Sequence, residues 1–209
     1  MRKILLGGLL ILAISGVAYT TQPVQRLIKQ KSAPPVAKTA PTIQRDPNQY
    51  DVLDVEYAKK KILHHQLAAI LADKAKTDAI RPEVRKLAEQ ISVEETARAN
   101  VYITMLTEWN ESYDNITDFP EVNGCHGYPT FSGMLPYQEV GKYRLSTGED
   151  VDKTFFEIMI AHHDGNKELA EIEGRHVAYG KLITLRDASL REYDEQGKQL
   201  AATQQALGL

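Results

Sequence analysis

Apolar residues recur at intervals of three and four in four stretches after Asp51, the spacing of a helix with one buried face. The pattern predicts helices over about 54–76, 82–109, 150–174 and 179–206, with a short one over 137–145. Thr77 or Asp78 reads as a cap ahead of the second helix, and Pro82 falls in a first turn that tolerates it. Thr147-Gly148-Glu149-Asp150 resembles a capping box for the third. Between them, Asn110, Asn115, Pro120, Gly124, Gly127, Pro129 and Gly133 mark a long irregular connection. Two hairpins joined by one long crossover describe an all-α, ferritin-like four-helix bundle over 49–207.

The two hairpins read as copies of one unit. DVEYAKKKILHHQLAAILADKA begins at Asp54 and DKTFFEIMIAHHDGNKELAEIE at Asp152. His162 lies 98 residues after His64, and Asp152 lies 98 after Asp54. An Asp, an aromatic and a His pair held at one offset predict a duplicated helical unit. Repeat 1 spans about 51–111, the connection 112–148 and repeat 2 about 149–206.

The N-terminal region has a different character. Arg2-Lys3 precedes an apolar run from Ile4 to Tyr19, longer than a typical signal core and shorter than a typical span. Residues 1–19 are therefore expected to be a signal peptide or an N-terminal membrane anchor. Residues 20–48 carry Pro23, Pro34, Pro35, Pro41 and Pro47 among polar residues and read as a tether packing on nothing. The rest of the chain is then periplasmic or outward-facing, with membrane contact through the N-terminal segment left open. A net charge of −3 gives no case for nucleic acid. The single cysteine, Cys125, excludes an internal disulfide and a Cys-rich zinc module.

Candidate chemistry lies in the His pairs, which hold four of the six histidines. On a helical wheel His162 and His163 fall on the inward half with Phe155, Ile158 and Leu169, opposite Lys153, Glu157 and Asp164. Asp152, Met159 and His163 stack at i, i+7 and i+11, and Met159 is three residues from His162. The first copy places Asp54, His64 and His65 equivalently but has Lys61 where the second has Met159. An inward lysine repels a cation, so the first site is expected to be weaker unless Lys61 snorkels out. The candidate metal ligands are His162, His163, Met159, Asp152, His64, His65 and Asp54. Imidazole and carboxylate suit Cu(II) or Zn(II), and a thioether favours Cu(I), which makes copper the leading ion with zinc open.

Other candidates carry less. Glu94 and Glu192 obey the same offset and read as ligands, outer acceptors or surface ion pairs. Met105, Met134 and Cys125-His126 are weaker soft donors. The competing reading is a membrane-tethered structural or adaptor bundle whose histidines are core residues satisfied by carboxylates. A metal-dependent hydrolase is disfavoured, because Asp164 points away from the histidines it follows. Di-iron chemistry needs Glu-x-x-His, whereas Lys61, Ile62, Met159 and Ile160 hold those positions. Binding rather than catalysis is the expectation.

Asp152 through Ala170, with its apolar-Met-apolar run before His162-His163, resembles the bacterial family catalogued as domain of unknown function 305. Gly133-Met134-Leu135-Pro136, Leu145 and Gly148 also resemble that family's approach to the motif, and the first hairpin matches two-copy members more loosely. The resemblance covers about 51–199 and implies an exported ferritin-like bundle, with some members binding copper through His and Met. It implies His162, His163 and Met159 as leading ligands, then His64 and His65. Lys61 for Met and Glu94 for Gln depart from the pattern in the first copy.

Overall fold

The computed structural model describes residues 45–119 and 128–209. Five α-helices form it: α1 (Val52–Asp78), α2 (Pro82–Glu108), α3 (Tyr137–Leu145), α4 (Glu149–Ile172) and α5 (Gly180–Leu207). A 3-10 turn, Gly174–His176, links α4 to α5. No strand occurs among the described residues. The four long helices are the all-α bundle of two hairpins, α1–α2 and α4–α5, with α3 in the crossover.

Each long helix is buried in three bands. Leu67, Leu71, Ala75, Val84, Ile91, Val151, Phe155, Phe156, Met159 and Leu200 build one apolar cluster. Val55, Tyr57, Ile62, Tyr102, Leu106, Leu169 and Leu182 build a second. Between them every long helix contributes buried polar side chains: His64 and His65 from α1, Glu95 from α2, His162, His163 and Asn166 from α4, and Ser189 and Gln196 from α5. A polar layer thus crosses the bundle at mid-height. Charged and polar groups are placed there only if partners meet them.

The two motif aspartates lock the repeats together. Asp54 Oδ1 accepts the backbone N–H of Ala178 (2.9 Å) and Tyr179 (3.1 Å), in the α4–α5 corner. Asp152 accepts from Ile80 (2.9 Å) and Arg81 (3.2 Å), in the α1–α2 corner. Ala178 and Tyr179 lie 98 residues after Ile80 and Arg81, so each repeat caps the other's hairpin by one shared rule. Asp54 also closes a capping box with Asp51 at the start of α1. The expected local caps give way to these. α2 starts after Arg81 and α4 after Gly148, neither with a side-chain cap bond. The acceptor for the α2 corner comes instead from 71 and 72 residues away, beyond the reach of a local pattern.

Gly165, just after the second His pair, is a contact glycine. A Cβ on it would lie 2.1 Å from the carbonyl oxygen of Gly133, which itself takes φ +85°. The connection therefore docks backbone to backbone on α4. It is tied to α1 as well: Gln66 donates to Asn115 (2.7 Å) and accepts from the Ile116 N–H (2.8 Å).

The folded part begins earlier than the tether reading allows. Arg45 pairs with Asp51 and Asp54 and donates to the His176 carbonyl, while the Pro47 carbonyl accepts the Gly180 N–H at 2.8 Å. Tyr50 stacks on Trp109 at 4.1 Å between centroids, closing that end of the bundle. Residues 45–48 thus belong to the bundle. The leader and the tether up to residue 44 lie outside the described residues. No helix among the described residues is long and apolar enough to cross a membrane.

Candidate metal centre

His64 and His162 face each other at the centre of the polar layer. Their ring centroids are 3.8 Å apart with planes tilted by 32°. One comes from each repeat, so the two His pairs meet at one place. Both rings are fully buried, and all four of their nitrogens lack a hydrogen-bond partner among the described residues. A neutral imidazole carries one donor and one acceptor, and each such group left unpaired in a core costs about 1–3 kcal/mol.

The outer histidines are anchored, and differently. His65 Nδ1 lies 2.8 Å from Glu95 Oε2, and the Tyr193 hydroxyl donates to the same oxygen at 2.8 Å. Arg98 holds the other Glu95 oxygen at 2.6 Å and reaches Glu192 at 3.0 Å. Glu95 and Tyr193 are themselves 98 apart in sequence, so equivalent positions of the two repeats meet here. His163 lies 2.6 Å from the Met159 carbonyl through Nδ1 and 2.9 Å from Gln196 Oε1 through Nε2. Gln196 in turn donates to Glu94. His65 Nε2 joins the unpartnered set.

Lys61 does not snorkel. It is fully buried, donates to Asn166 and to the Ser189 hydroxyl (3.1 Å), and lies 5.5 Å from the centre of the Tyr193 ring. Burial pushes its pKa down to about 7. Burial also holds His64 and His162 well below the usual imidazole range, and neighbouring Lys61 adds to the effect. His65 is pushed down to about 4 by burial and Lys61 against the pull of Glu95. Glu95 stays ionised: burial would raise it, but His65 and Arg98 outweigh burial. The central imidazoles are consequently neutral at ordinary pH, the form in which an imidazole can coordinate a cation.

The predicted ligands separate into three groups. His64 and His162 meet, with His65 and His163 flanking at 6.2 and 6.0 Å between centroids. Met159 is buried in the apolar band next to that layer. Asp54 and Asp152 are corrected: both carboxylates are filled by amide donors at the hairpin corners and leave the donor set. Glu94 and Glu192 support Gln196 and Arg98 rather than the rings. Cys125 and His126 lie outside the described residues. Among the described residues no three His, Cys, Asp or Glu side chains converge as a ready-made metal cage.

Sequence reasoning missed Glu95, Tyr193 and Gln196. Glu95 and Tyr193 share the offset of 98 but not their chemistry, so a search for like residues passes over them.

The profile of a family described as a domain of unknown function, DUF305, matches residues 54–206. The chain belongs to the DUF305 family. A DUF305 protein of Streptomyces coelicolor, described as secreted, shares the fold at 18% identity and a TM-score of 0.61, over 75% of this chain and 92% of that one. A DUF305 fragment from Deinococcus radiodurans does so at 18% identity and 0.59, over 73% and 95%. CopM in its Cu(I)-bound form matches at 19% identity and 0.56, over 76% and 99%. CopM in its Cu(II)-bound form also matches, at 21% identity. No match was found among curated proteins. At these identities the likeness establishes a DUF305 fold, and that fold includes a copper-bound member.

Proposed function

We propose that this DUF305 protein binds copper between His64 and His162 and buffers or delivers the ion outside the cytoplasmic membrane. The observation that carries this reading is the buried, unpartnered imidazole pair. Copper bound to CopM, a protein of the same fold, and the secreted description of the Streptomyces protein support it. The donor set suits copper, and a thioether within reach would tip it toward Cu(I). Imidazole suits copper, Met159 adds a thioether nearby in the chain, and zinc in a structural site takes four ligands that the described residues do not assemble. Imidazole lone pairs lie in the ring plane, so a shared ion requires the two close, tilted rings to move apart. Copper is cargo here, and the chain's own work is to keep two imidazoles neutral, dry and paired.

Titration of the exported form, purified without affinity histidines, tests the proposal. Elemental analysis should find copper, and Cu(I) should bind at one ion per chain. His64→Ala and His162→Ala should each abolish that binding. Equal affinity in wild type and both variants would leave a structural bundle with core histidines as the better account.

A further inference from the structure

An ion seated between His64 and His162 needs a route, because both rings are fully buried. One cleft leads toward them. It lies between α4 and α5, measures about 300 Å³, and has His163, Tyr193 and Gly197 in its lining, with Asp164 and Asp194 beside them. His163 and Tyr193 are 2% and 1% exposed, with ring centroids 4.6 Å apart. They form a single layer between cleft and centre: His163 lies 6.0 Å and Tyr193 6.1 Å from the His162 ring, between centroids.

Gly197 has no structural reason to be glycine. It sits inside α5, where glycine costs helix stability relative to alanine. A Cβ there would meet nothing within 4 Å, and no positive φ is recorded for it. Gly165 and Gly133 are the contrast, since backbone contact or a positive φ demands each of them. The position 98 residues earlier is Ala99, which is buried in α2. The equivalent position of the first hairpin is thus closed.

We propose that the α4–α5 cleft is the entry and exit gate for the cation, with Gly197 keeping it open and His163 and Tyr193 as its inner door. This rests on the copper reading above. A second groove of about 480 Å³, between α2 and α5, is a poorer route. Its inner side is closed by Gln196, bonded to both Glu94 and His163, and by Arg98, bonded to Glu94, Glu95 and Glu192. Rim charge does not choose the ion, because Lys167 and Lys198 pair with Asp164 and Asp194. Selection belongs to the imidazoles inside.

Plugging a gate slows entry and exit by one factor and leaves the equilibrium unchanged. The test is Cu(I) uptake from, and release to, a coloured Cu(I) chelator under anaerobic stopped flow, on the full chain. Gly197→Leu should slow both rates by about tenfold or more at unchanged affinity, while the helical circular dichroism is retained. Ala201→Leu, on the same lining one turn away, should act in the same direction and serves if Gly197→Leu does not fold. Gln199→Trp, which fills the α2–α5 groove, should change neither rate. Unchanged rates in both cleft variants, slowing by Gln199→Trp instead, or a loss of affinity matching the loss of rate would each overturn the gate. Wild-type chain that takes up no Cu(I) would overturn the copper reading itself.

Discussion

The two repeats obey one rule at their corners and different rules at their centres. Asp54 and Asp152 make the same long-range caps 98 residues apart, and His64 and His162 meet as equals. Around that pair the copies diverge. Repeat 1 has the buried Lys61 and ties His65 to an ionised Glu95; repeat 2 has Met159 and ties His163 to the neutral Gln196. The hairpins differ too: α1 packs against α2 far more extensively than α4 does against α5. Groups that hold the corners stayed symmetric, and groups that set charge around the pair did not. The central pair draws one ring from each repeat, while its flanking groups are ionised in one copy and neutral in the other.

The largest effect should test the equality of the pair. His64→Ala and His162→Ala should lose Cu(I) binding alike in titration, whereas His65→Ala and His163→Ala, whose bonds run to Glu95, Met159 and Gln196 and not to the central rings, should retain it. A large gap between the first two would restore two separate sites. Next comes Gly165→Ala, which forces a Cβ into the Gly133 carbonyl; a loss of about 1–3 kcal/mol in urea unfolding is expected. The position 98 residues earlier, Leu67, is a core leucine, so this contact belongs to repeat 2 alone.

Acid should destabilise both repeats through their buried histidines, His65 among them. Its pKa is depressed from 6.5 to about 4, so it stabilises the fold fully above 6.5 and loses that contribution as pH falls toward 4. Unfolding followed from pH 7 to 4 should therefore steepen, and His65→Gln should flatten part of the slope. Asp54→Ala and Asp152→Ala should each cost about 1–3 kcal/mol, with Asp54→Ala the larger, since both leave two corner amides without their acceptor and Asp54 also accepts the Asp51 N–H. Lys61→Met should have the smallest effect on affinity, tightening Cu(I) on the order of tenfold by removing a nearby positive charge. Because Lys61 falls from 10.5 to about 7, its stabilising share is present above 10.5 and lost as pH drops to 7. That slope should vanish in Lys61→Met.

Helical periodicity and the offset of 98 made the bundle, its hairpins and its symmetry readable from the chain, because helix burial repeats locally and duplication copies residues in order. α3 was legible over 137–145 for the same reason. The His pairs announced buried chemistry, since imidazoles on an inward face need partners. Their pairing was not readable. A wheel places His162 with Met159 and Asp152 on one helix, and only the packing of α1 against α4 puts it against His64. The roles of Asp54 and Asp152, the burial of Lys61 and the network of Glu95, Tyr193 and Gln196 were likewise decided by contacts between distant segments. Periodicity fixes which face of a helix turns inward; which side chain it meets there depends on the height and rotation of its neighbours, and those belong to the tertiary structure alone.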